Sequence, residues 1–165
     1  MESSTLFSLL TLKKIIMNNK VNEIKISYRE KMGMSNAMVI KSSKDAAALI
    51  FKQWNQDTIG LQEAFKILLL NNSNKVKGIY QLSTGGITGT MVDIRILFAV
   101  IIKTLSVGVI LTHNHPSGTL KPSEVDKQLT EKIRKAAALF DIKVLDHLII
   151  TPNGNYFSFA DEELL

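Results

Sequence analysis

The stretch that most limits how this chain can fold runs from residue 107 to residue 126. Val107-Gly108-Val109-Ile110-Leu111 is a continuous apolar run of strand length, the pattern of a strand covered on both faces. It delivers His113 and His115 at its end. Pro116, Ser117, Gly118 and Pro122 make a tight, sharply turning connection, and Ser123-Glu124-Val125-Asp126 opens a helix. Residues i and i+2 of a strand point to the same face, roughly 6.5 to 7 Å apart at their Cα atoms, so the two imidazoles can lean onto one ion. With Asp126 folded back beside them, three protein ligands leave the fourth tetrahedral position to water, the pattern of a mononuclear zinc site. Plainer alternatives stand beside this one. Paired histidines are common on surfaces and in cores, and Ser123-x-x-Asp126 matches a capping box whose side chains satisfy helix amides.

The rest of the chain supplies a scaffold for that unit. Leu9, Leu12 and Ile16 share a helical face, which predicts a short helix within residues 1 to 20, and Ile24 to Tyr28 alternates as a half-buried strand does. Ala37 to Ile40 reads as an extended piece after a loop at 32–36. Ser42-Ser43 caps a helix from about Lys44 to Trp54, with Ala46, Ala47, Ile50 and Phe51 facing inward. Phe65 to Leu70 is a fully buried strand, Asn71 to Asn74 a hairpin turn, and a second strand passes through Val76 to Tyr80. Asp93 caps a helix from Ile94 to Leu105 that is apolar nearly all round. The helix after the histidines, about 124–140, places Val125, Leu129, Ile133, Ala136, Ala137 and Phe140 on one side. Lys143 to Leu145, Leu148 to Ile150 and Tyr156 to Phe159 read as three short strands. Trp54, Phe65, Phe98, Phe140, Phe157 and Phe159 read as core. The expected architecture is α/β (α+β), a mixed central sheet flanked by helices, with residues 1–43 as an N-terminal segment and 44–165 as the domain proper.

Composition narrows the chemistry. There is no cysteine, so disulfides and thiolate ligands are excluded and any zinc is held by nitrogen and oxygen. The net charge of +5 comes from lysines spread along the chain, with only three arginines. Sequence-reading DNA contacts favour clustered Arg, so a solvated basic surface is the expectation and DNA a weakly supported partner. Residues 1–17 lack the basic start and cleavage site of a signal peptide. The long apolar stretch 94–111 is broken by Arg95, Lys103 and Ser106, so no membrane span is expected and cytoplasm is the default compartment.

The string His113-x-His115-x7-Ser123-x2-Asp126 resembles the motif of the JAMM (MPN-type) metalloproteases. His-Asn-His-Pro-Ser-Gly at 113–118 and Leu-Asp-His-Leu-Ile at 145–149 are similar in particular to the RadC-like branch. The resemblance covers roughly residues 44–165 and implies the layering of that family, which is like that of cytidine deaminases. It implies zinc on His113, His115 and Asp126. Glu63, just before a strand, is implied as the general base and acid, and Ser123 as donor to a developing oxyanion. By position alone Glu63 is one of eight glutamates, and its plainer role is a charge at a strand edge. His147 reads as a hydrogen-bonded structural residue, and Asn114, pointing away from the histidines, as a group that orders the loop. The function implied is a zinc-dependent hydrolase of peptide or isopeptide bonds. A DNA-repair-associated binding module that keeps the site as structure is the alternative, and a two-histidine-one-carboxylate iron oxygenase shares the ligand types.

Overall fold

The computed structural model describes residues 29, 33–86 and 91–165, so the short helix expected within residues 1–20 and the strand expected at 24–28 lie outside the described residues. Among the described residues, helix α1 (Ser43–Lys52) precedes strands β1 (Ala64–Leu70) and β2 (Val76–Thr84). Helix α2 (Ile94–Lys103), strand β3 (Gly108–Asn114), helix α3 (Glu124–Ala138) and strands β4 (Lys143–Ile150) and β5 (Tyr156–Ser158) follow. The strands form one mixed sheet in the order β2-β1-β3-β4-β5. β3 and β4 run parallel and are joined through α3, while the other neighbouring pairs are antiparallel.

The period-2 alternation of side chains sorts the sheet into two apolar faces. Ala64, Leu68, Leu70, Ile110, Leu148 and Ile150 pack with Ala46, Ala47 and Ile50 of α1. Phe65, Ile67, Leu69, Val109 and Leu111 pack on the other face with Leu97, Phe98 and Ile101 of α2 and Ile133 and Ala137 of α3. Every residue of β1 and β3 is buried, as their near-continuous apolar runs predict. Lys66 is the charged exception. Its ammonium lies 4.3 Å from the centre of the Trp54 ring and donates to the Gln53 carbonyl at 3.3 Å. The ring face and the carbonyl replace part of its lost hydration.

Several expectations are corrected here. Lys143–Leu145 and Leu148–Ile150 are one strand, β4, with a register shift between its Val144 and Asp146 partners on β3. The polar Asp146-His147 pair can sit inside that strand because Asp146 is fully engaged: Ser158 Oγ donates to it at 2.7 Å, the Ala160 amide at 3.0 Å and the His147 amide at 2.7 Å. The inward stripe of α3 is Thr130, Ile133 and Ala137, whereas Val125 is 72% exposed and Phe140 54% exposed. Asp126 faces the end of β3, so Val125, about 100° away on the helix, turns to solvent. Phe140 keeps a ring contact with Phe98 at 5.6 Å from outside the helix, which ends at Ala138. α2 buries only one side, leaving Ile96 and Ile102 exposed. The remaining differences are in extent. α1 spans Ser43–Lys52 with Ser42 as its cap, and Phe51 is only partly buried. Of the loop expected at 32–36, residues 33–36 are described and hold a 3-10 turn at Met34–Asn36, and the extended piece after it makes a bridge, Val39 with Lys75. No helix among the described residues is long and apolar enough to cross a membrane.

Candidate metal centre

The antiparallel register of β1 and β3 sets Phe65 opposite His113. Glu63 precedes β1 on the same side as Phe65, and His115 follows β3 on the same side as His113. The N-terminus of α3 then brings Asp126 to that corner. Ligand atoms of Glu63, His113 and His115 lie within 4.8 Å of one another. His113 Nε2 is 2.9 Å from His115 Nε2, 3.3 Å from Asp126 Oδ1 and 4.0 Å from Glu63 Oε1. Asp126 Oδ2 is 4.0 Å from His115 Nε2. Both carboxylates thus border the two imidazoles, and Asp126 is the nearer. His113 is 1% exposed, and His115, Asp126 and Glu63 are partly covered at the rim.

The hydrogen bonds on the far sides of the two rings decide whether this corner fits a cation. His115 Nδ1 is 2.7 Å from the Thr119 carbonyl, which can only accept, so the proton of a neutral His115 is on Nδ1. The loop makes that bond possible by curling back at Gly118, whose φ of +79° is the left-handed conformation glycine adopts freely, and whose amide donates to the His115 carbonyl at 3.0 Å. His113 Nδ1 is 2.9 Å from His147 Nε2, and His147 Nδ1 is 2.6 Å from Thr130 Oγ1. Thr130 Oγ1 is also 2.6 Å from the Asp126 carbonyl. Two oxygens that close must share a hydrogen, so the hydroxyl donates to the carbonyl and accepts from His147 Nδ1. Buried His147 carries one proton, its Nε2 is therefore an acceptor, and His113 donates to it from Nδ1. These hydrogens are assigned from their partners. The outcome is two bare Nε2 lone pairs facing each other at 2.9 Å. With both rings neutral, no proton remains for a bond between them, and a cation shared by the two nitrogens would satisfy both.

The electrostatics favour neutral His113 and His147. Burial pushes His113 down from 6.5 to about 4, with Asp126 opposing and His115 adding. Burial likewise holds His147 well below the ordinary histidine range. Glu63 is raised, chiefly by burial and further by Asp126, with His115 opposing. A raised carboxylate is a stronger base once ionised.

The Ser123 and Asp126 side chains form a full capping box, so the plainer structural role is present together with the placement at the corner. Asp126 Oδ2 accepts from the Ser123 amide at 2.7 Å and from Ser123 Oγ at 2.6 Å, while Oδ1 is the oxygen nearest His113. One carboxylate thus anchors the helix and faces the imidazoles. The Ser123 hydroxyl hydrogen lies on Asp126, and donation to a substrate oxygen requires it to leave that bond.

Asn114 holds Glu63 in place from the opposite face of the sheet. Its side-chain amide donates to the carbonyls of Ile59 at 2.6 Å and Gln62 at 3.0 Å and accepts from the Ala64 amide at 2.7 Å. The Glu63 amide and carbonyl pair with Gly86 and Gly85 at 3.2 and 2.7 Å. Both peptides flanking Glu63 are thereby fixed. Asn114→Ala strips partners from three backbone groups, each worth about 1 to 3 kcal/mol when left unpaired and buried. The expected result is a loss of about 3 kcal/mol or more in urea unfolding, and an unchanged midpoint would show that the clamp is redundant.

Sequence reasoning had no signal for Thr130, apart from its being a hydroxyl in the otherwise apolar stripe of α3. The contact of His147 with His113, across the parallel β3–β4 pair, was also out of its reach.

A model of the RadC-like JAB domain matches residues 40–164. A UPF0758 protein of Flavobacterium johnsoniae is 51% identical over 125 residues, 74% of this chain and 52% of the relative. A UPF0758 protein of Porphyromonas gingivalis is 49% identical over 104 residues, covering 63% of this chain and 46% of the relative. One from Clostridium kluyveri is 38% identical over 127 residues, covering 76% and 54%. The chain therefore spans about half the length of the curated relatives it matches. With a match over most of its length, the chain belongs to the RadC-like JAB domain family.

Proposed function

We propose that this chain is a zinc-dependent metallohydrolase that cleaves an amide bond of a peptide or protein, in the manner of a peptidase or isopeptidase. The observation that carries this reading is the pair of imidazole Nε2 atoms 2.9 Å apart with the Asp126 carboxylate beside them and Glu63 within reach. His113, His115 and Asp126 would hold the ion, an all nitrogen and oxygen set suited to zinc with one position open. Bound zinc supplies Lewis acidity toward water and toward a carbonyl oxygen.

The chain's own groups do the rest. Glu63 takes a proton from the water attacking the amide carbon and passes it to the nitrogen as the carbon–nitrogen bond breaks, so that the carboxylate is regenerated. Burial, by raising its proton affinity, suits it to that exchange. Ser123 donates to the developing oxyanion after releasing Asp126 Oδ2. A base at Glu63 and an oxyanion donor at Ser123 suit hydrolysis better than an oxygenase.

The test is to load the purified protein with zinc and screen peptide and isopeptide-linked libraries. One zinc per chain and cleavage that stops on chelation are expected. Absence of zinc binding above background, or iron-dependent oxygen consumption in place of hydrolysis, would overturn the reading.

A further inference from the structure

We propose that Thr130 and His147 are positioning residues that fix which nitrogen of His113 is presented to the ion, as a relay of hydrogen bonds from α3 through β4 to β3. The inference rests on the metal-site reading for its purpose, but the arrangement of hydrogens can be observed without metal.

Direction enters the relay at a carbonyl. The Asp126 carbonyl can only accept, so it orients the Thr130 hydroxyl at 2.6 Å. That leaves the oxygen to accept from His147 Nδ1 at 2.6 Å, and leaves His147 Nε2 to accept from His113 Nδ1 at 2.9 Å. Each link has one consistent direction once the first is set. The rings cannot evade it by turning over. His147 is fully buried, stacked on Phe159 with ring centres 4.7 Å apart and planes 20° apart, and tilted against Phe65 at 5.6 Å. His113 lies nearly parallel to Phe65, 4° between planes. A flip of His147 would put ring carbons where both hydrogen bonds now are.

The relay starts on the residue that faces the site. Asp126 offers its carboxylate to the corner and its backbone carbonyl to Thr130, one helical turn on. The element that brings the carboxylate therefore also sets the tautomer of the buried imidazole. His115 has no such chain, since its Nδ1 reaches the Thr119 carbonyl directly. An imidazole at the surface can use a loop carbonyl. One buried under a strand needs a partner within the core, and the neighbouring parallel strand supplies His147.

Thr130→Val tests this because it keeps the side-chain shape and removes only the hydroxyl, while Thr130→Ser restores the hydroxyl with a smaller side chain. Partners of metal-bound imidazoles are worth about 10- to 100-fold in metal affinity. In competition titrations with zinc, Thr130→Val is expected to bind about 10- to 100-fold more weakly than the unaltered protein. Thr130→Ser is expected to bind within a few-fold of it. In the metal-free protein, nitrogen-15 NMR of the imidazoles is expected to show His113 protonated on Nδ1, and a mixture of tautomers in Thr130→Val.

Equal zinc affinity for Thr130→Val and the unaltered protein would overturn the proposal. So would a Thr130→Ser protein as weak as Thr130→Val, or a metal-free His113 protonated on Nε2. If the unaltered protein binds no zinc, the metal reading fails, and the NMR result alone decides whether the relay exists.

Discussion

Replacing His113 by alanine is expected to remove zinc binding, a far larger effect than the roughly 10- to 100-fold typical of losing an imidazole's hydrogen-bond partner. The nitrogen lost is the one that faces His115, Asp126 and Glu63 alike. The same change opens a void beside Phe65 and leaves His147 Nε2 without its donor. An unpaired buried polar group costs about 1 to 3 kcal/mol and truncating a large core side chain about 2 to 5. His115 sits at the rim, so His115→Ala should lose zinc to a similar degree with a much smaller loss of stability. Titration calorimetry with zinc, paired with urea unfolding of both variants, separates the two effects. Retention of zinc by His115→Ala would mean that its Nε2 does not ligate, and the proposed ligand set would be wrong.

The second large effect is expected at Glu63. Glu63→Gln keeps the shape but turns one acceptor oxygen into an NH2 donor and cannot take up a proton, so amide hydrolysis should fall by about 10²- to 10⁴-fold. If Asp126 is the carboxylate ligand, zinc affinity should stay within a few-fold, since Asp126 Oδ1 lies 3.3 Å from His113 Nε2 and Glu63 Oε1 4.0 Å. The outcome distinguishes two roles that the geometry brings close together, since Glu63 belongs to the same cluster as the histidines. A Glu63→Gln protein that loses zinc would make Glu63 a ligand and leave the general base to be found elsewhere. Rates with a cleavable substrate and zinc affinities measured on the same preparation give the answer.

How much of this was legible beforehand depends on how far each inference reached along the chain. The pairing of His113 with His115 followed from strand parity, a local rule, and Asp93, Ser42 and Ser123 were legible as caps for the same reason. Val125 was misplaced because helical periodicity predicts which residues share a face but not which face turns inward. Asp126 facing the corner decided that. Strand β4 was split in two because Asp146 and His147 look like a break in an apolar run. Their hydrogen bonds to Ser158, Ala160, His113 and Thr130 come from β5, the turn after it, β3 and α3, and leave no trace in neighbouring residues. Asn114 could be placed on the far face by parity, yet its grip on the peptides around Glu63 joins positions about 50 residues apart.

The amino-acid order by itself determined the strand that carries the imidazoles, the turn and capped helix after it, and the absence of any thiolate ligand, because these depend on neighbours within a few residues. Only the tertiary structure decided that Glu63 stands at the same corner, since the β1–β3 register supplies that contact. It also decided which nitrogen of each imidazole is bare. A tautomer is set by the partner on the other side of the ring, and for His113 that partner comes from a parallel strand reached only after a helix has crossed the sheet.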